Sequence, residues 1–181
     1  RERDSGVEFI ESLVGQNVSR SFVPSVRKGV TQACTEGIIA GYGVVDVKID
    51  FYDGKEHPVD SKDVAFQTAG KHAFREAFKA AKPCLLEPIM HVEIMVPEEF
   101  MGAVMGDLNS RRGKIQGMDA DGAFQVVKAH VPQMDLYKYS TNLRSLTEGR
   151  GLHTEALSHY ENMPRDMEQK VIASNQSNGE E

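Results

Sequence analysis

Residues 85–118 read LLEPIMHVEIMVPEEFMGAVMGDLNSRRGKIQGM, and this stretch decides the fold. Ile89, Val92, Ile94 and Val96 belong to an apolar, β-forming run that Pro97 ends. Glu98 and Glu99 follow, acids suited to the positive end of a helix dipole. Phe100, Val104 and Leu108 then form an i, i+4, i+8 stripe with Met101 and Met105 beside it, the period of an amphipathic helix. Gly113 is expected to stop that helix, directly behind Arg111 and Arg112. The order is strand, helix, basic turn, strand.

Downstream, residues 113–118 and 124–131 flank turn chemistry at 119–122 and predict an antiparallel pair. Residues 135–146 read as a second helix. Residues 152–160 read as a last strand, with Gly149 and Gly151 in the turn before it. Residues 88–160 therefore carry the β-α-β-β-α-β order of a ferredoxin-like domain, a four-stranded sheet with one face under two helices. A short helix over 163–173, with Pro164 in its first turn, and a polar tail over 174–181, expected to be disordered, complete the chain.

Upstream, residues 7–14 suggest a strand and 22–36 a helix, with Pro24 in its first turn, Val26, Val30 and Ala33 on one face, and Gly37 as its stop. Val45, Val47, Ile49 and Phe51 alternate with Asp46, Lys48 and Asp50, the pattern of a half-buried strand. Asp53-Gly54 breaks that strand. Asp60-Ser61 is expected to cap the next helix, which carries Val64, Thr68, His72 or Phe74, and Phe78 near one face and ends before Pro83. With Pro88 as the boundary, the expected fold is α+β in two domains: a βα-repeating domain over 1–87 that looks incomplete at its N-terminus, and a ferredoxin-like domain over 88–181 that includes the C-terminal helix.

Composition narrows the function. Hydrophobic residues make up 40% of the 181, enough for real cores. No apolar run approaches the roughly 20 residues of a membrane-spanning helix, so no membrane partner is expected. Cys34 and Cys84 suit reduced thiols better than a disulfide framework. The net charge of −6 rules out a uniformly basic surface, yet residues 105–150 hold seven basic against five acidic residues. Local basic turns on an acidic protein can hold one RNA fold without binding RNA in general. The sequence lacks a Walker A lysine loop, an HExxH or i, i+4 histidine pair, and a G-x-S-x-G elbow. No catalytic residue and no metal ligand is therefore assigned.

Two clusters stand out. The first is the tip Lys55, Glu56, His57 and Pro58, within residues 53–60, between a strongly patterned strand and helix. Such a histidine can stack on a base or donate to phosphate, and Pro58 would lower the entropy lost on docking. The second is a set of basic turns, Arg111, Arg112 and Lys114 after one helix and Arg144 and Arg150 around another, with Lys138 nearby. Both helix-to-strand junctions are expected on one edge of the sheet, which would concentrate the four arginines. A stand-alone RNA-recognition module fits less well, because the strands GKIQGMD and AFQVVKAHV offer only Phe124 for base stacking. A metabolite-binding domain of the same fold is a further alternative.

The stretch LLEPIM, PEE, GD-L-RRG and GM resembles the last domain of translation elongation factor G. FVPSVRKGV resembles the family's YIPAV-KGI, and AGYGVVDVKIDFYDGKEHPVDSKDVAFQTAGKHAFREAF its G-PVVD and DGS-H-VDS segment. LYKYSTNLRSLTEGRG resembles GYAT-LRSLT-GR, and SHYENMP the closing HY-E-P. The resemblance implies that the first domain is domain IV, a ribosomal protein S5 domain 2-like fold truncated at its N-terminus, and that the second is domain V. It implies a cytoplasmic, monomeric part of a GTPase that drives translocation of tRNA and mRNA. His57 matches the histidine facing the A-site tRNA–mRNA duplex, and domain V faces rRNA near the sarcin–ricin loop. GTP and Mg2+ would belong to a domain outside this chain; DNA is not an expected partner. Residues 15–19, GQNVS in place of the family's GG-IP, and Pro58 in place of an acid leave open a paralogue acting in ribosome recycling or ribosomal protection.

Overall fold

The computed structural model describes residues 1–15, 17–57 and 59–177. Along the chain the elements run β1 (Val7–Glu11), α1 (Val23–Glu36), β2 (Val47–Phe51), α2 (Asp63–Ala80), β3 (Leu86–Pro97), α3 (Met101–Ser110), β4 (Lys114–Asp121), β5 (Phe124–Pro132), α4 (Tyr139–Leu146), β6 (Leu152–Asn162) and α5 (Arg165–Ser177). They pack as two units. One is Arg1–Cys84 together with the segment from Pro164 onward; the other is Leu85–Met163. Among the described residues no helix is long and apolar enough to cross a membrane.

In the first unit β1 and β2 pair in parallel, Val7 opposite Val47, and α1 is the crossover that such a pair needs. The faces of α1 and α2 meet across small residues. Val26, Val30, Ala33 and Cys34 on α1 and Phe66 and Phe74 on α2 share a core with Val18 and Val44. The buried stripe of α2 is thus Phe66, Gly70 and Phe74, while Val64, expected on that face, is exposed. The phase shifts because Gly29 and Gly70 let the two backbones approach. A Cβ on Gly29 would lie 1.9 Å from the Gln67 carbonyl oxygen. Nor do Asp60 and Ser61 cap α2: it starts at Asp63 without a side-chain cap, and the Ser61 hydroxyl is used elsewhere. The expected strand at 45 starts two residues later. Asp46 adopts φ 57° and accepts a hydrogen bond from Gly6 N, which leaves Val45 exposed.

The second unit is a four-stranded sheet in the order β4-β5-β3-β6, antiparallel throughout, with α3 and α4 returning across the sheet. This is the ferredoxin-like arrangement. Val92, Ile94 and Val96 of β3, Val127, Ala129 and Val131 of β5, Val104 and Leu108 of α3, and Tyr139 and Leu143 of α4 form its core. A register shift at Ile89/Met90 inserts Ser158 into β6, and both Ile89 and Met90 are buried there. The helix end at α3 is made by Arg112 in the left-handed region (φ 57°), not by Gly113, whose N–H bonds back to the Leu108 oxygen at 2.8 Å. Residues 133–136 form a separate 3-10 turn, so α4 begins only at Tyr139.

The division between units also differs from the expected boundary at Pro88. Leu86 already pairs with Asn162, and Met163 N donates to the Leu85 oxygen, so the sheet starts before the proline. The C-terminal helix groups with the first unit, where Asn175 Nδ2 donates to the Ala40 oxygen at 3.0 Å. It continues through Ser177, beyond the point at which the polar composition suggested a disordered tail; residues 178–181 lie outside the described residues.

The α1–α2 approach makes a direct prediction. Gly29→Ala should destabilise the first unit by about 3 kcal/mol, because the obstructing atom is backbone and cannot rotate away. Urea denaturation followed by far-ultraviolet circular dichroism would measure it; Gly102→Ala, in α3 of the second unit with nothing within 4 Å of the added carbon, should not destabilise and serves as the comparison.

Candidate nucleic-acid interface

The tip of the first unit is a loop tied at three points. Glu56 N donates to the Asn17 oxygen at 3.0 Å, and its carboxylate accepts from Ser19 N at 2.8 Å. Gly54 lies so near buried Val18 that a Cβ would come within 2.9 Å of its methyl. His57 N donates to the Ser61 hydroxyl at 2.8 Å. Glu56 therefore faces its own chain, whereas Lys55 and His57 are exposed. His57 Nδ1 accepts from the N–H groups of Val59 and Asp60 at 3.4 Å and lies 3.3 Å from the Asp60 carboxylate. Nδ1 thus faces its own loop, which leaves the opposite ring nitrogen, Nε2, for a partner. Pro58 lies outside the described residues. The strap 17–19 escaped the sequence reading; its signal was Val18, a single apolar residue in a polar segment.

In the second unit the basic turns do not gather on one edge. Arg112 makes a two-pronged pair with Glu87 at 2.9 and 3.0 Å and a third bond to Asp135 at 2.8 Å. Glu87 stands at the start of β3. Arg150 instead bonds Glu99, just past the end of β3, at 2.8 Å, with its guanidinium 4.6 Å from the centre of the Phe100 ring. At roughly 3.3 Å per residue, the strand alone spans about 33 Å from Glu87 to Pro97, two residues short of Glu99. The reason is topological: β3 and β5 run antiparallel, so α3 and α4, which follow them, return in opposite senses, and the two helix-to-strand junctions fall at opposite ends.

Most of these cations are also occupied. Arg111 bonds Asp107 at 2.9 Å and the Asp135 carbonyl, and lies 5.1 Å from the Tyr139 ring centre. Lys114 bonds Glu161 at 2.9 Å on the sheet face away from the helices. The Arg112 guanidinium is held charged beyond its ordinary value, first by the Glu87 hydrogen bonds, and Glu87 itself is almost wholly buried. Arg111 and Arg112 are thus fold-holding residues. Arg144 is exposed on α4 and makes no ion pair among the described residues. The TEGRG turn beside it is internal too: buried Thr147 Oγ1 donates to the Leu143 oxygen and accepts from Gly151 N.

The sheet face away from the helices carries His91, His130 and His159 on three strands, with ring centres 5.6 and 5.3 Å apart in succession. Burial, then His159 and His91, lower the His130 pKa. The His159 hydrogen bond, then that of Lys114, lowers the Glu161 pKa. Among the described residues no group of three or more His, Cys, Asp or Glu could hold a metal ion.

Two outcomes follow. Arg112→Ala should destabilise the second unit by about 3 kcal/mol, since it strands a carboxylate whose side chain is only 4% exposed, and Arg112→Lys should recover only part of the loss; chemical denaturation measures both. For His130 the folded pKa lies below the ordinary 6.5, so the unfolded chain binds the proton first. Its contribution to stability should be intact above pH 6.5, fall as the pH drops towards the folded value, and level off beneath it. Denaturation between pH 7.5 and about 5 tests this, and His130→Gln should flatten that part of the profile.

Comparison with known proteins agrees with this architecture. Residues 1–82 match the family model for elongation factor G, domain IV, and residues 84–171 match that for the elongation factor G C-terminus. The chain is 52% identical over 170 residues to elongation factor G of Aquifex pyrophilus, covering 94% of this chain and 24% of that protein. A crystal structure from Thermus thermophilus superposes with a TM-score of 0.82 at 35% identity, over 97% of this chain and 27% of the other. The chain thus spans about a quarter of the length of these relatives. It belongs to the elongation factor G family and carries that family's domain IV and C-terminal domain.

Proposed function

We propose that this chain is the ribosome-engaging part of a cytoplasmic, monomeric translational GTPase that promotes movement of tRNA and mRNA, with GTP and Mg2+ held by a domain outside it. The observation that carries the reading is the tip: a histidine exposed at the end of a loop tied to its own scaffold by Glu56, Gly54 and Ser61. A pre-organised loop loses little entropy on docking, and an imidazole with Nδ1 turned to its own loop leaves Nε2 and the ring face for an RNA group or a base. Lys55 would add a phosphate contact, and Glu56 would act by holding the loop. In the second unit Arg144, with the exposed and exchangeable pairs of Lys114 and Arg150, would face rRNA. Chemistry at the tip is not required. A strut that blocks back-slippage works by occupying space and holding a shape.

His57→Ala in the full-length factor should slow single-turnover translocation about tenfold or more, equivalent to about 1.4 kcal/mol in the barrier, while GTP hydrolysis on the ribosome stays unchanged. An unaltered translocation rate would remove the tip contact.

A further inference from the structure

The second unit contains seven lysines and arginines. Arg111, Arg112, Lys114, Lys128 and Arg150 are each paired with a carboxylate. Lys138 and Arg144 have no ion pair among the described residues, and both lie on the exposed face of α4 and its entry. In place of an acid, Lys138 has an aromatic ring: its Nζ sits 5.1 Å from the centre of the Tyr137 ring. Tyr137 is 75% exposed, which leaves its ring open to solvent beside Lys138. Lys138 holds a left-handed backbone (φ 58°), the region that glycine enters without steric cost. A side chain has therefore been placed where the backbone favours none. Beside the pair lies a shallow, open hollow of about 590 Å³, lined by Met134, Leu136, Tyr137 and Lys138, with Glu155 of β6 contributing its only carboxylate.

We propose that Tyr137, Lys138 and Arg144 form a contact for one unstacked nucleotide of RNA, in which Tyr137 stacks on the base and Lys138 and Arg144 take the flanking phosphates. This rests on the reading of the second unit as rRNA-facing and adds a mode of contact to it. The chemistry of each part is distinct. A π-face stacks on any base, and a nearby cation strengthens the pairing with a phosphate-linked ring. Tyr137 and Lys138 stand just before α4 begins at Tyr139, and Arg144 is exposed in its last turn, so about 8 Å of helix axis separates the start of α4, beside Lys138, from Arg144. That distance suits successive groups of a nucleic-acid backbone better than one small anion. Glu155 can accept from an exocyclic amine, which favours adenine, cytosine or guanine over uracil in the hollow. Duplex RNA keeps its bases stacked and offers only phosphates here, so the site should prefer a loop or bulge.

The test uses this chain with a fluorescein-labelled RNA stem-loop carrying unpaired adenosines and, separately, the matching blunt duplex, by anisotropy at several salt concentrations. The wild type should prefer the stem-loop. Tyr137→Ala should lose that preference about tenfold, and Tyr137→Phe should retain it. Lys138→Gly suits the left-handed backbone and should weaken both RNAs, lowering the slope of log affinity against log salt by about 0.7–0.9. Equal binding of stem-loop and duplex by the wild type, or Tyr137→Ala binding the stem-loop as the wild type does, would overturn the site. Ribosome co-sedimentation separates this from the broader reading. Wild type that pellets with ribosomes while showing no stem-loop preference loses this site alone. Failure to pellet at low salt removes the rRNA-facing reading beneath it.

Discussion

The carboxylate of Glu87 is the constraint around which the second unit is arranged. It is taken out of water at the start of the longest strand, and Arg112 answers it with two parallel hydrogen bonds. A buried charge with its partner removed is far more costly than the pair is favourable, so the geometry of both ends is enforced. Arg112 sits in the turn between α3 and β4, and its Nε–H goes to Asp135, in the turn leading to α4. One guanidinium therefore ties a strand, the end of one helix and the approach to another. Arg111 repeats the tie through Asp107 and the Asp135 carbonyl, and Asn142 of α4 donates to the other Asp107 oxygen. The helices are held to one face of the sheet by this polar clamp at one end as well as by Val104, Leu108, Tyr139 and Leu143 beneath them.

This assignment changes the meaning of the double arginine. A pair of arginines at a helix end suggests phosphate binding, but a guanidinium cannot leave Glu87 for a phosphate without stranding a carboxylate. The cations of this unit without an ion pair among the described residues are Lys138, at the entry of α4, and Arg144, on it. The surface pairs of Lys114 and Arg150 are intermediate, since exposed ion pairs contribute little and exchange readily. In an acidic chain the placement of a few unpaired cations matters more than their number.

The tip obeys the same logic with different groups. Its acid is engaged by Ser19 N, its glycine admits Val18, and its serine receives the backbone N–H of His57. What is left outward is a lysine and an imidazole. Residues that hold the loop and residues that face outward alternate along three consecutive positions, so sequence proximity alone does not assign them.

Much of the fold was legible in local pattern. The alternation of β3, the stripe of α3 and the order of elements in the second unit all depend on periodicity, which a chain displays without reference to its partners. His57 was legible as a loop-tip residue for the same reason. The tertiary structure decided what depends on long-range pairing: that α2 buries Phe66 and Phe74 rather than Val64, because glycines on both helices set the approach; that Glu56 turns inward; and that Arg112 faces the carboxylates of Glu87 and Asp135, more than twenty positions away. It also decided that the arginine turns lie at opposite ends of the sheet. Sequence determines which residues can form a strand, a turn or a charge; which charge meets which is determined only when antiparallel strands and their returning helices fix the ends of the domain in space.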